Sequence, residues 1–169
     1  ATSERSQLTA RTGETFFAGF TTPPPTGGLL SSGSQEVGLD EWAGAIDERK
    51  AELYVMAYTA MGYPVVEGEG IVSNRPQPYD DVEIVTTLLD AEGESLGEVT
   101  SGRRDALAWF PYGAKILLPP GTRAARCTWL LHHRGILEGN DGAVDDLYLG
   151  IGVRDEAHTR VGQNLLKNP

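Results

Sequence analysis

Several short stretches of the chain alternate apolar and polar residues, which is typical of strands that bury one face. The clearest stretch is Ala51–Tyr58, "AELYVMAY", where small or aliphatic residues alternate with Glu52, Tyr54, Met56 and Tyr58. Further strands are predicted at Glu14–Phe20, on both sides of a hairpin turn (Asp90–Gly93) within Val82–Thr100, and at Ala106–Pro119, Arg123–His133 and Ala143–Val153. About seven short strands without alternating helices favour an all-β sandwich.

Three other segments lack this alternation. Val37–Lys50 has the only convincing helical spacing, with Leu39, Ala43 and Ile46 on one face and Asp40 as the predicted N-cap. Prolines and paired glycines predict a loop over Thr21–Ser34. Met61–Asp81 is predicted to be a long loop, and such loops often carry function.

Size and charge narrow the class of protein. A chain of 169 residues with 40% apolar residues is most simply one domain with its own core. Its formal charge of −10 disfavours binding to nucleic acids and anionic membranes. No apolar run approaches the length of a membrane-spanning helix. The single cysteine, Cys127, forms no internal disulfide and is predicted to be a small core residue.

Five stretches, taken in order, resemble the jelly-roll domains of the galactose-binding-like fold, which many carbohydrate-binding modules share. They are "QEVGLDEWAGAID", "AELYVMAYTAMGY", "VEIVTTLLDAEGESLGEV", "LPPGTRAARCTWLL" and "NDGAVDDLYL". The resemblance implies a jelly-roll β-sandwich with one short helix over residues 15–156. The polar residues at the N-terminus predict an N-terminal arm over residues 1–14, with an edge strand as the alternative.

The remaining segment, residues 157–169, is predicted to be a C-terminal tail. It ends in "NLLKNP" (Asn164–Pro169), which resembles the first strand of a further domain of this kind. Two interpretations stay open beside chance similarity. The stretch opens a next domain, or it supplies a missing strand within one copy or between copies, because an unpaired sheet edge accepts a partner strand.

The paired aspartates Asp145 and Asp146 are the first candidates for chemistry. On a regular strand their side chains point to opposite faces, which argues against a hydrolase built on both carboxylates. The resemblance implies that Asp145 can help to hold a structural calcium ion, which needs six to eight oxygen ligands. The preferred interpretation is that Asp145 accepts hydrogen bonds from turn amides. No other cofactor is predicted.

No catalytic motif is present in the sequence, so we expect a protein that is not an enzyme. Aromatic rings that stack on sugars, with polar side chains that bind hydroxyl groups, are the better candidates for function. The predicted ligand-binding residues are Tyr63, Arg75, Tyr79, Asp81, Trp109, Tyr112 and Asn140, with Tyr54, Tyr58, Asp80, Arg103 and Arg104 as further candidates. The alternative is that most of these aromatic residues fill the core or cover its ends.

The leading hypothesis is a non-catalytic interaction module of a larger extracellular or virion-type assembly, with a glycan as the candidate ligand. The alternative is a purely structural fibre, tail or capsid-decorating subunit. Its terminal arms would fasten onto copies of itself or onto neighbouring subunits. A third hypothesis is an appendage of a glycosidase or lyase with its own activity. Neither nucleic-acid binding nor membrane insertion is expected.

Overall fold

Two antiparallel β-sheets form the protein. The computed structural model describes residues 17–18, 30–61, 80–105, 109–132, 142–154 and 159–161. The elements are β1 (Phe17–Ala18), β2 (Leu30–Gly38), a single 3-10 turn (Asp40–Trp42), α1 (Ala43–Asp47), β3 (Ala51–Met61), β4 (Asp81–Leu89), β5 (Ser95–Thr100), β6 (Phe110–Leu117), β7 (Ala124–His132), β8 (Gly142–Arg154) and β9 (Thr159–Val161).

The strand order is that of a jelly roll. One sheet has the order β1-β8-β3-β6, with the short β9 also paired to β8, and the other has the order β2-β7-β4-β5. Apart from the β4–β5 hairpin, consecutive strands from β1 to β8 lie in opposite sheets. This arrangement of eight strands in two sheets confirms the predicted jelly-roll sandwich.

The core lies between the two sheets and is formed by the alternating positions that the sequence predicts. Leu53 and Val55 of β3 belong to the same buried cluster as Ile84 of β4 and Trp129 of β7. Cys127 is fully buried in this cluster, as predicted for a small core residue. Burial raises the pKa of its thiol to about 11.

Strand β2 corrects the prediction of a loop over Thr21–Ser34, because its first five residues lie in that segment. Leu30–Gly38 pairs with β7 along nine consecutive positions. The strand is largely polar and lies at the edge of its sheet. Its less exposed positions are Ser31, Gly33, Gln35 and Val37, of which only Val37 is apolar with a large side chain, so the residue pattern does not reveal the strand. Gly33 lies directly under the Trp129 indole, since a Cβ there would approach Cζ2 to 2.3 Å.

The helical segment is shorter than predicted and is not capped by Asp40. Asp40 begins the 3-10 turn, and no side chain caps it. Leu39 and Ile46 are fully buried and attach this segment to the core. Asp47, at the end of α1, accepts hydrogen bonds from the Gly121 amide (2.9 Å) and from Arg123 (2.8 Å). The Arg123 guanidinium, followed by the Gly121 amide, lowers the pKa of the Asp47 carboxyl group.

The predicted hairpin is confirmed between β4 and β5. Asp90 Oδ1 accepts hydrogen bonds from the amides of Glu92 (3.0 Å) and Glu94 (2.8 Å). Gly93 adopts a φ of +84°, a left-handed conformation that glycine tolerates best. Because a short polar turn can satisfy itself in this way, its position is predictable from local sequence.

Strand β9 lies within the predicted tail. Thr159–Val161 pairs with Arg154, Val153 and Gly152 of β8, so three residues of this segment extend the domain's own sheet. Residues 1–14 and "NLLKNP" lie outside the described residues. Among the helices described, none is long and apolar enough to cross a membrane.

Candidate functional site

The outer face of the five-stranded sheet carries a group of residues whose placement suits ligand binding. We name it the tyrosine face and define it by Glu52, Tyr54, Met56, Lys115, Tyr148 and Arg154. Tyr54 lies between Lys115 of β6 and Gly150 of β8. Met56 lies between Gly113 of β6 and Tyr148 of β8. The polar half of the alternating β3 sequence therefore forms the centre of this surface.

Tyr148 lies against the sheet because residue 150 has no side chain. A Cβ at Gly150 would come within 2.4 Å of the Tyr148 hydroxyl oxygen and within 2.8 Å of ring atoms. The ring thus occupies the space that a side chain at residue 150 would fill. Tyr148 remains partly exposed in this position. One side of the ring is supported by the backbone of β8.

Tyr54 runs along β3 toward a buried carboxylate. Its hydroxyl group donates a hydrogen bond of 3.0 Å to Oε2 of Glu52. Lys115 Nζ lies 5.7 Å from the centroid of the Tyr54 ring, within the range of a cation–π contact. Like Tyr148, Tyr54 is only partly exposed. The two tyrosines therefore lie low on adjacent strands.

Glu52 is an outward-facing residue that its neighbours cover completely. The residue is only 1% exposed, although the alternation of β3 directs it away from the core. Its Oε2 also binds Lys115 Nζ at 2.8 Å, and its Oε1 accepts a hydrogen bond from Arg154. A buried carboxylate is tolerated when charged partners and hydrogen bonds satisfy it in this way.

The rest of the tyrosine face is apolar and open. The Met56 residue is 50% exposed, and Leu117, beside Glu52 on β6, is 52% exposed. Gly113, Gly150 and Gly152 flank the central strand and carry no side chains, so the surface between the rings stays shallow. Apolar and aromatic side chains with a few precisely placed polar groups are the usual lining of a small-molecule site.

The described aromatic candidates are distributed between the core and the surface. Tyr112 is 7% exposed and belongs to the core cluster, where burial raises the pKa of its hydroxyl group. This placement suits the alternative, a core aromatic, better than a ligand contact. Trp109 is partly exposed just before β6. Tyr58 is partly exposed on the outer side of β3, next to Asp145 of β8.

The polar candidates among the described residues lie near the end of the sandwich that is opposite to Glu52. Asp80 and Asp81 are buried at the start of β4. Arg104 lies 5.4 Å from the Phe110 ring centroid and 6.0 Å from that of Tyr112. Arg103 lies beside it in the chain and is exposed. The remaining candidates lie outside the described residues: Tyr63, Arg75, Tyr79 and Asn140.

The two adjacent aspartates lie at a β-bulge, which corrects the expectation that they alternate across a regular strand. Asp146 has a φ of +49°, and the pairing with β3 shifts register between Tyr58 and Met56. Asp145 is 7% exposed, and its Oδ1 accepts a hydrogen bond of 2.8 Å from the Asp146 amide. The donor is an amide of the bulge within β8, whereas the preferred interpretation of Asp145 predicts amides of a turn. Within the part of the chain that the structure describes, no group of three or more candidate ligands could hold a metal ion.

Several members of the tyrosine face were not predicted from the sequence. Tyr54 was among the aromatic candidates because it alternates with the core residues of β3. Glu52, Lys115, Tyr148 and Arg154 were not proposed. One local signal for this surface is the sequence "YLGIG", in which glycines follow Tyr148 at the next two outward positions.

No protein-family model matches the chain, and no curated protein matches its sequence. Among solved structures, the chain is similar to the enzymatically active domain of tailspike protein 4 of bacteriophage CBA120, with 15% identity and a TM-score of 0.48 over 76% of this chain. It spans only 15% of the length of that protein.

Two carbohydrate-binding modules are also similar in structure. A family 16 module has 16% identity and a TM-score of 0.47, with 86% of this chain and 82% of the module covered. TmCBM61, solved in complex with β-1,4-galactotriose, has 17% identity and a TM-score of 0.45, with 83% of this chain and 72% of the module covered.

Proposed function

We propose that this protein is a non-catalytic module that binds a glycan on its tyrosine face. The observation that carries this proposal is the pair of low-lying tyrosines, Tyr54 and Tyr148, beside a fixed cluster of charged groups. The apolar face of a sugar ring packs well on an aromatic ring. Its hydroxyl groups need hydrogen-bonding partners at the rim of that ring. The tyrosine face offers both within one surface.

The rigidity of this surface supports binding rather than a merely exposed apolar patch. A hydrogen bond to Glu52 holds Tyr54 in place, and the Tyr148 ring lies against the backbone at Gly150. Side chains that are fixed before binding lose less conformational entropy when a ligand arrives. Shallow platforms of this kind suit an extended chain of sugars, which can lie along the sheet.

The sequence and the described surface both lack a catalytic arrangement that would favour an enzyme. The one buried carboxylate of the tyrosine face, Glu52, is occupied by Tyr54, Lys115 and Arg154. A general acid or base has to exchange protons with a substrate, and this carboxylate is covered. The covered carboxylate therefore favours binding over catalysis at this face. Membership of an extracellular or virion-type assembly is a further part of the proposal.

The test measures binding to a panel of soluble polysaccharides and a glycan array. Tyr54→Ala and Tyr148→Ala should each weaken binding to the glycan that the unmodified chain binds. We expect a loss of about tenfold in affinity, the effect of losing roughly 1.4 kcal/mol of contact energy. Leu130→Ala is the matched control, because Leu130 lies on the outer face of the other sheet and is partly buried. Equal binding by all three variants would contradict this location of the site.

A further inference from the structure

The charged cluster of the tyrosine face has more positive than negative charge. Lys115 and Arg154 both bind the single carboxylate of Glu52, which leaves one net positive charge on these three residues. The whole chain carries a formal charge of −10, so this local excess is opposite in sign to the protein. Neutralising the charge of the Glu52 carboxylate would need only one of the two cations.

The cluster presents donors to solvent, whereas its acceptor is covered. The Glu52 side chain is 2% exposed, but those of Lys115 and Arg154 are 52% and 56% exposed. A lysine has three N–H donors and an arginine has five, so both retain donors beyond those bound to Glu52. A ligand on the two tyrosines would therefore meet cationic donors at this end of the platform.

We propose that the glycan bound by the tyrosine face is acidic and that its negative groups bind Lys115 and Arg154. This inference rests on the proposed glycan-binding function and specifies its ligand class. Hydrogen bonds between a guanidinium or ammonium group and an anionic oxygen are stronger than those to a neutral hydroxyl group. Glu52 holds both cations in place, because its two oxygens bind one cation each.

The experiment compares ligands that differ only in charge. Uronic-acid polysaccharides, including polygalacturonate, are titrated beside the same polymers after reduction of their carboxyl groups to alcohols. A sulfated neutral polysaccharide and its desulfated form provide a second pair, which distinguishes carboxylate from sulfate as the anionic group. We expect the acidic member of a pair to bind at least about tenfold more tightly, with affinity falling as salt rises.

Variants then assign the charge preference to the cluster. Lys115→Gln and Arg154→Gln should each reduce several-fold the ratio of the affinity for the acidic ligand to the affinity for its neutral form. Arg126→Gln is the matched control, because Arg126 is a 46% exposed arginine that pairs with Glu36 on the outer face of the other sheet. Circular dichroism of each variant checks that its fold is retained.

The outcomes separate this inference from the proposed function. Binding to neutral and acidic forms with equal affinity, lost in Tyr54→Ala but not in Lys115→Gln or Arg154→Gln, would overturn the acidic preference alone. Binding that depends on neither the tyrosines nor the cations would overturn both proposals. A charge preference that Arg126→Gln reduces equally would indicate non-specific attraction and would also overturn the inference.

Discussion

A single glycine determines the position of an aromatic ring on the candidate binding surface. Tyr148 lies over Gly150, at distances that no Cβ could accept. A methyl group at this position has to displace the ring, and the displaced atoms are the far end of a surface side chain. The change should therefore alter the surface far more than the stability of the fold.

We expect Gly150→Ala to weaken glycan binding about as much as Tyr148→Ala, while the midpoint of thermal unfolding changes little. Gly38→Ala is the control, since Gly38 is an exposed glycine on a strand of the other sheet and nothing lies within 4 Å of its Cβ. Titration of the two variants with the same ligand measures the difference. Equal affinities would mean that the position of Tyr148 does not matter for binding.

At the scale of elements, β2 shows how a strand with little apolar character is held in place. It is an edge strand, and the Trp129 indole packs against its inward-facing Gly33. Trp129 also packs on Phe17 of β1, with ring centroids 4.5 Å apart. One tryptophan thus links an edge strand of one sheet to a short strand of the other.

We expect Gly33→Ala to destabilise the protein by about 1–3 kcal/mol, because the new Cβ would lie 2.3 Å from the indole ring and would overpack the core. Gly38→Ala is a matched control on the same strand, since nothing lies within 4 Å of its Cβ. Denaturant unfolding measures both free energies. The same loss for both variants would mean that glycine is needed in β2 for reasons other than Trp129.

At the scale of the whole molecule, two ionisable groups in the core connect the stability of the sandwich to alkaline pH. Burial raises the pKa of Cys127 to about 11 from a usual value of 9.0, and it also raises the pKa of Tyr112. The unfolded chain therefore loses the thiol proton at a lower pH than the folded chain does. The contribution of the protonated thiol to the free energy of unfolding is complete below about pH 9 and is lost as the pH rises to about 11.

We expect the free energy of unfolding to fall between pH 9 and 11, by up to about 3 kcal/mol from the thiol. Cys127→Ala should be less stable at neutral pH but should have a shallower decline in this range. Tyr112→Phe is the companion variant, because it removes the second core group whose pKa burial raises. Urea unfolding at several pH values measures these slopes, and parallel curves for Cys127→Ala and the unmodified chain would contradict the prediction.

Assembly through the terminal arms stays a prediction, and it also belongs to the whole molecule. Truncation before Gln163 keeps β9 (Thr159–Val161), so we expect the truncated chain to retain its fold. The structural-subunit hypothesis predicts multimers for the full chain and monomers for the truncated one. Light scattering distinguishes these results, and monomers in both samples would count against assembly through residues 163–169.

Much of the architecture follows from the sequence by itself. The alternation in β3, the turn at Asp90–Gly93 and the apolar setting of Cys127 are local patterns, so each predicts its own element or burial without knowledge of the rest. The order of the five segments that resemble jelly-roll domains adds the topology, which the strand order of the two sheets confirms. The strand β3, the turn and the burial of Cys127 share a physical cause that lies within a few neighbouring residues, whereas the topology was inferred from the resemblance.

Only the tertiary structure determined that β2 is a strand and that the residues of the tyrosine face lie together. Polar residues of β2 become a strand because β7 pairs with them and Trp129 covers Gly33, and neither partner is near in sequence. Glu52, Lys115 and Arg154 meet because β6 and β8 flank β3 on opposite sides. Sheet pairing between distant segments brings such charges together, so no local pattern of residues could have predicted the cluster.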